Sequence, residues 1–264
     1  MKWDAKQYLK FEKERTQPAV DLINRLTLKN PKRILDIGCG PGNSTRLIKD
    51  KYPEAYVLGI DKSPEMIETA KTDNPDIDFL IADAGEELEK TGSGYDIVLS
   101  SAAIQWIPNH KELMVKMLSL LNPGGMLAVQ VPLTDKMPMY QKIMPDLLAS
   151  PEWGNEFAVK RFFHTLEAEQ YYDLFSEISS DFTMWETVYY HRMDSCENIM
   201  EWYRGTGLRP YLEQLTLEKA ELFEKEICNQ LDEYYSKQID GAIILKFPRL
   251  FFTVKSDEIS ENKS

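Results

Sequence analysis

Cysteine and histidine are scarce in this chain, three of each among 264 residues. Cys39, Cys196 and Cys228 show no C-x-x-C spacing and form an odd set, which fits reduced thiols better than a disulfide framework or a zinc site. His110, His164 and His191 are equally scattered, so the sequence offers no metal-ligand cluster and no evident Cys–His or His–Asp pairing. Positive charge is short as well: 31 Lys and Arg stand against 43 Asp and Glu, a net charge of −12 with no basic run. Nucleic acid and anionic membrane surfaces would be repelled rather than steered in. No apolar run reaches spanning length, and the opening "MKWDAKQYLKFEKER" is too charged for a signal peptide. Together these absences predict a cytoplasmic chain with a small-molecule partner and no metal, nucleic-acid or membrane partner, the monomer being the favoured state.

What is present is a hydrophobic content of 43%, enough for one large domain with a proper core. Residues 4–30 read as two helical pieces broken near Pro18, with Thr16 as cap and Pro18 in the first turn of the second. Apolar runs at 33–37, 56–60, 78–82, 95–100 and 125–131 then alternate with segments of helical periodicity, a βαβ series that implies a mostly parallel sheet covered on both faces. After Pro132 the alternation stops. Residues 183–193 read as a strand, 195–236 as helices, and 242–255 as a strand pair or one bent strand that Pro248 demotes to an edge or bulge.

The stretch "RILDIGCGPGNS" (33–44) empties a short apolar strand into glycines at 38, 40 and 42 and then into a helix start. A dinucleotide fingerprint would place its third glycine where this chain has Asn43. The altered spacing predicts a tight backbone path beside a smaller ligand, and Asp36, just before it, is suited to an ammonium rather than a diphosphate. Asp61 ends the next strand, where a carboxylate can accept both hydroxyls of a ribose. Asp83 follows the third and could accept from an adenine amine, with the Ala84 amide beside it. Each acid alone is more often a helix cap or a solvated strand end. Three at successive strand C-termini, where open α/β sheets bind ligands, form a pattern.

The set "LDIGCGPGNS", "GIDKSPEM", "IADAGE" and "LLNPGGMLAVQ" resembles the class I S-adenosylmethionine-dependent methyltransferases. Within that class the resemblance to the trans-aconitate 2-methyltransferase branch extends over nearly the whole chain, through "YLKFEKERTQPAVDL", "IQWIPNHKEL", "VYYHRM", "EWYRGTGLRPYL" and "FPRLF". It implies a Rossmann-like, mostly parallel seven-stranded sheet with its last strand antiparallel, helices on both faces and a helical cap. The implied layout is one methyltransferase domain over 1–255: a helical lid (1–30), a cofactor-binding core (31–132), a cap with one strand (133–241) and a final strand (242–255), then a polar tail (256–264). The resemblance assigns Asp36 and the loop of Gly38, Gly40 and Gly42 to the methionine end of S-adenosylmethionine, Asp61 to ribose and Asp83 with Ala84 to adenine; Asn43, Lys62, Met66 and Ser101 complete the expected cofactor set. That exit reads Ser100-Ser101-Ala102 where the branch more usually carries an Ala-Asn pair, and residues 133–165 match weakly.

The implied reaction is methyl transfer to a carboxylate of trans-aconitate, giving a monomethyl ester and S-adenosylhomocysteine. A carboxylate nucleophile is already ionised at neutral pH, so no catalytic base is expected. A polyanion entering a chain of charge −12 needs local positive charge, and the rigid guanidinium fork is the best grip. Arg209 and Arg249, in apolar or Gly/Pro settings without obvious acidic partners, are the foremost candidates. Tyr8 and Arg15 from the first helix, Trp106 as a cleft wall, Tyr190 and His191 complete the expected substrate set. A methyltransferase for another small acid or an acyl-thioester carboxylate, or a non-catalytic S-adenosylmethionine-binding protein, stays open on sequence alone. A dehydrogenase is disfavoured by Asn43.

Overall fold

The computed structural model describes residues 11–160, 163–205 and 207–256. Tyr8 and the end of the polar tail lie outside them. Among the described residues seven strands form one sheet: β1 (Arg33–Ile37), β2 (Tyr56–Asp61), β3 (Asp78–Ile81), β4 (Tyr95–Ser101), β5 (Leu121–Pro132), β6 (Phe182–Met193) and β7 (Ile243–Lys255). Their order is β3-β2-β1-β4-β5-β7-β6. The pairs from β3 through β5 are parallel, and β7 runs antiparallel to β5. This is the expected mostly parallel α/β sheet. From β1 the chain winds outward to β2 and β3, then returns to place β4 and β5 on the other side. Right-handed crossovers therefore put helices on opposite faces and open a crevice at the strand C-termini between β1 and β4.

The local chemistry explains the elements that frame this crevice. In β1 every residue from Ile34 to Ile37 is buried, as a central strand covered on both faces requires. Helix α1 (Glu12–Asn24) precedes it, and α2 (Asn43–Lys51) follows from Gly42, whose φ of 94° supplies the left-handed turn out of the strand. Helix α3 (Pro64–Asp73) has Pro64 in its first turn, and the Ser63 hydroxyl accepts from the Met66 amide at 3.3 Å. Helix α4 (His110–Ser119) connects β4 to β5. Further along come α5 (Met144–Ala149), α6 (Ala168–Ile178), α7 (Cys196–Arg204), α8 (Arg209–Leu212) and α9 (Leu217–Tyr234).

The chain divides into two compact units. The larger comprises Arg15–Pro132, Phe163–Thr187 and residues 249–256. Its core is the sheet interior, where Ile34, Leu35, Ile60, Val98, Leu99, Leu127 and Val129 are fully buried. Among the described residues the smaller comprises 11–14, 133–160, 188–205 and 207–248, and its core is rich in aromatics: Trp153, Phe157, Trp202, Tyr203 and Phe223.

Three expectations need correction. Pro18 does not break the N-terminal segment: α1 runs through it, and Thr16 lies inside the helix rather than at a cap. An interior proline costs about 3 kcal/mol, and burial of Leu22 and Ile23, at roughly 1.5–3 kcal/mol each, outweighs it. The C-terminal segment is one long strand and an interior one, between β5 and β6. Pro248 is accommodated because the paired register of β5 and β7 stops at Pro132↔Arg249, one position short of it, and the Pro248 carbonyl still accepts from Leu133 N at 3.0 Å. The cysteines are not all thiols. Cys196, opening α7, and Cys228, on α9, form a disulfide with their Cα atoms 5.9 Å apart, because the two helices share the aromatic core of the smaller unit. Cys39 remains a free, buried thiol.

Candidate active site

Asp36, next to last in β1, is fully buried. One carboxylate oxygen accepts from the hydroxyls of Ser44 and Thr45, both at 2.7 Å, which the first turn of α2 brings back over the strand end. The other oxygen, Oδ1, is buried without a hydrogen-bond partner. Burial pushes the Asp36 carboxyl up to about 6, the two hydroxyls hold it down, and the nearby Asp61 charge adds to the rise. An unpaired, buried, largely ionised oxygen is a site that a cation or ammonium would complete.

The glycines do different work. The amides of Gly38 and Cys39 donate to the Ile60 carbonyl at 2.8 and 2.9 Å, locking the loop to β2. At Gly38 a Cβ would fall 2.1 Å from the Ala103 Cβ, so this glycine permits close packing. At Gly40, with φ of 54°, a Cβ would meet nothing within 4 Å, so this glycine opens space. Cys39 between them is no nucleophile: burial, with Asp36 and Asp61 nearby, pushes its thiol far up.

Asp61 closes the loop from the other side. One of its oxygens accepts from the Gly40 amide at 3.0 Å and the other from the Ser63 amide at 2.9 Å. A carboxylate has about four acceptor positions, so capacity for two hydroxyl donors remains. Asp83 holds the Gly85 amide at 2.9 Å and faces the Lys62 ammonium at 3.9 Å, while Ala84 is buried beside it. Asn43 and Met66 begin α2 and α3 next to these acids. The predicted cofactor residues Asp36 to Asn43, Asp61, Lys62, Met66, Asp83, Ala84 and Ser101 therefore all belong to the larger unit, at the C-terminal ends of β1 to β4. The orphaned Asp36 oxygen, the space over Gly40 and the remaining capacity of Asp61 fit a ligand with an ammonium and a vicinal diol.

The predicted substrate residues separate. Arg15, Trp106 and Arg249 lie in the larger unit. Trp106 packs on Phe163 with ring centroids 4.5 Å apart. Arg249 is buried at 6% exposure, and its guanidinium donates to Gln130 Oε1 at 2.8 Å. Tyr190, His191 and Arg209 lie in the smaller unit. Strand alternation turns Tyr190 outward at 64% exposure and His191 inward against Trp202, ring centroids 4.7 Å apart. Arg209, expected without an acidic partner, has one: its Nε donates to Glu213 at 2.8 Å, one helical turn on. Sequence reading missed Ser44 and Thr45, although hydroxyls opening a helix after a strand-end acid were visible. It also missed Gln130, the one amide in the apolar run "LAVQV".

Residues 34–125 match the family model described as a methyltransferase domain. The chain is 39% identical over 97% of its length to an Escherichia coli trans-aconitate 2-methyltransferase, 99% of which is covered. It is 38% identical, with the same coverage of both chains, to the Shigella flexneri protein of that name. Among solved structures, the Bacillus subtilis YcgJ protein superposes with a TM-score of 0.61 at 14% identity, over 92% of this chain and 99% of that one.

Proposed function

This chain belongs to the trans-aconitate 2-methyltransferase family, and from that premise we propose that it is an S-adenosylmethionine-dependent carboxyl O-methyltransferase that converts trans-aconitate to a monomethyl ester. The observation that carries the substrate is the 39% identity running over 97% of the chain, well beyond the matched domain at 34–125. The cofactor reading is supported by the geometry at the ends of β1 to β3. Asp36 would take the ammonium of the methionine end, Gly40 would leave room for it, Asp61 would accept the ribose hydroxyls, and Asp83 with the Ala84 amide would read the adenine edge. S-adenosylmethionine, when bound, supplies a methyl group on a sulfonium.

The protein has little acid–base chemistry to do. A carboxylate of ordinary pKa near 4 is ionised at pH 7, so the work is orientation, water exclusion and charge placement. Arg249, at the end of the β5–β7 ladder, supplies a guanidinium for the polycarboxylate, with Trp106 as an apolar wall. Arg15 stays in the proposed substrate set alongside Tyr8; Tyr190 and His191 leave opposite faces of β6, so at most one of the two belongs to it, and Arg209 would have to exchange Glu213 for the substrate. Methylation removes one negative charge from the ligand, so an arginine grip holds the ester more weakly than the acid, which favours release.

The test is incubation of the purified chain with S-adenosylmethionine and, separately, trans-aconitate, cis-aconitate, isocitrate and citrate, following S-adenosylhomocysteine and locating the ester by NMR. Turnover confined to trans-aconitate is expected; turnover of none of the four discards the substrate. Arg249→Leu should raise the KM for trans-aconitate by about 30-fold or more, because truncating one partner of a buried charged pair costs roughly 2–5 kcal/mol. S-adenosylmethionine affinity should hold. An unchanged KM removes Arg249 from the site.

A further inference from the structure

Gln130 is 1% exposed in β5, between the fully buried Val129 and Val131. An amide buried in such a strand is costly unless both of its ends are paired, and here both are. Its Nε2 donates to Ser101 Oγ at 2.8 Å, and its Oε1 accepts from Arg249 Nη1 at 2.8 Å. Register explains the meeting. Ser101 is the direct neighbour of Gln130 across β4 and β5, whereas on β7 its direct neighbour is Phe251, which leaves Arg249 on the diagonal, two residues away and on the same face. The direction of the relay is dictated by chemistry. A guanidinium only donates, so the amide oxygen must face Arg249, the NH2 must face Ser101, and the Ser101 hydroxyl, already accepting, sends its own hydrogen elsewhere.

We propose that Gln130 is a positioning residue for methyl transfer: anchored through its own amide on Ser101, it fixes the Arg249 guanidinium at the strand ends. This rests on the reading of Arg249 as the carboxylate grip. Glutamine suits the task because it holds a guanidinium without adding a negative charge. A glutamate of the same shape would hold it more tightly, yet would compete with the incoming carboxylate for the same cation.

Gln130→Glu, Gln130→Met, Arg249→Leu and the double variant Gln130→Met/Arg249→Leu separate the possibilities. Each is measured for KM and kcat with trans-aconitate, for KM with S-adenosylmethionine, and for the rise in Tm that trans-aconitate gives in the presence of S-adenosylhomocysteine. Gln130→Glu should raise the trans-aconitate KM about 10- to 100-fold, the worth of one charge-assisted contact, and abolish the ligand-induced rise in Tm. Its own Tm and its KM for S-adenosylmethionine should be kept, a split that a purely structural role would not give. The double variant should be no worse than Arg249→Leu alone. Should Gln130→Glu not fold, Gln130→Met decides, with the same rise in KM expected. If the Gln130 variants leave KM unchanged while Arg249→Leu raises it, the proposal is overturned and the reading of Arg249 stands. If Arg249→Leu changes nothing, or the unaltered chain does not turn over trans-aconitate, the reading fails and the proposal falls with it.

Discussion

The strand ends of the larger unit and the helical layer of the smaller unit solve different problems with different means. Around Asp36, Gly40 and Asp61 the chain uses backbone amides, two hydroxyls and glycine φ values, gathered at the ends of β1 and β2. In the smaller unit order comes from side chains that packed helices bring together: an aromatic-rich core from Trp153 to Phe223, the Arg204 guanidinium shared between Glu197 and Glu224, and a disulfide across 32 residues. The first arrangement is built to leave one oxygen unpaired and one space open. The second is built around apolar and aromatic packing, and its candidate Arg209 sits on a carboxylate. A ligand site, on this comparison, is recognised by what folding has left undone.

The largest test of that contrast breaks the Cys196–Cys228 bond. Reduction, or Cys228→Ser, should cost about 3–4 kcal/mol by the loop-entropy estimate for a 32-residue closure, read by denaturant unfolding. S-adenosylmethionine affinity should be unchanged; a parallel loss of affinity would show that the two regions are not independent.

Asp36→Asn tests the other side. Because burial raises the folded Asp36 carboxyl from 3.8 to about 6, the folded state carries no penalty below pH 3.8, accumulates it as pH rises to 6, and bears all of it above. The asparagine variant should therefore gain about 3 kcal/mol of stability relative to the unaltered chain between pH 4 and pH 7, while losing cofactor affinity. A pH-independent difference would mean that Asp36 is not buried as a charge.

Smaller still, Gly40→Ala should cost about 1–2 kcal/mol for the left-handed backbone alone. Its effect on S-adenosylmethionine binding, by calorimetry, should be about tenfold or more, since the methyl enters the open space beside the loop. At the bottom of the scale, Arg209→Leu should change stability by only about 0.3–0.5 kcal/mol, the worth of an exposed helical ion pair. A raised trans-aconitate KM in that variant would nonetheless keep Arg209 in the substrate set.

The same contrast explains what could be read in the sequence. The strands ending at Ile37, Asp61, Ile81 and Ser101 were legible because a buried parallel strand must be a short apolar run, and the acids at or just past the ends of the first three are punctuation at fixed places. Pro18 misled because propensity is local and the burial of Leu22 and Ile23 is not. Pro248 misled because strand order decides which positions need an N–H, and order is a property of the sheet. No spacing rule pairs Cys196 with Cys228. The Arg209–Glu213 pair was there to be found at i, i+4, and Gln130 declared itself only as a polar residue where none was needed.

Asp61 carries one more implication. With one oxygen on the Gly40 amide and the other on the Ser63 amide, its carboxylate plane is fixed by the fold before any ligand arrives. The ordering entropy is spent during folding, so the loop acts as a mould rather than a clamp. A mould cannot close around a smaller guest: at the proposed ribose contact, a deoxy analogue would leave a lone pair unanswered, and no rearrangement of the loop would soften the discrimination.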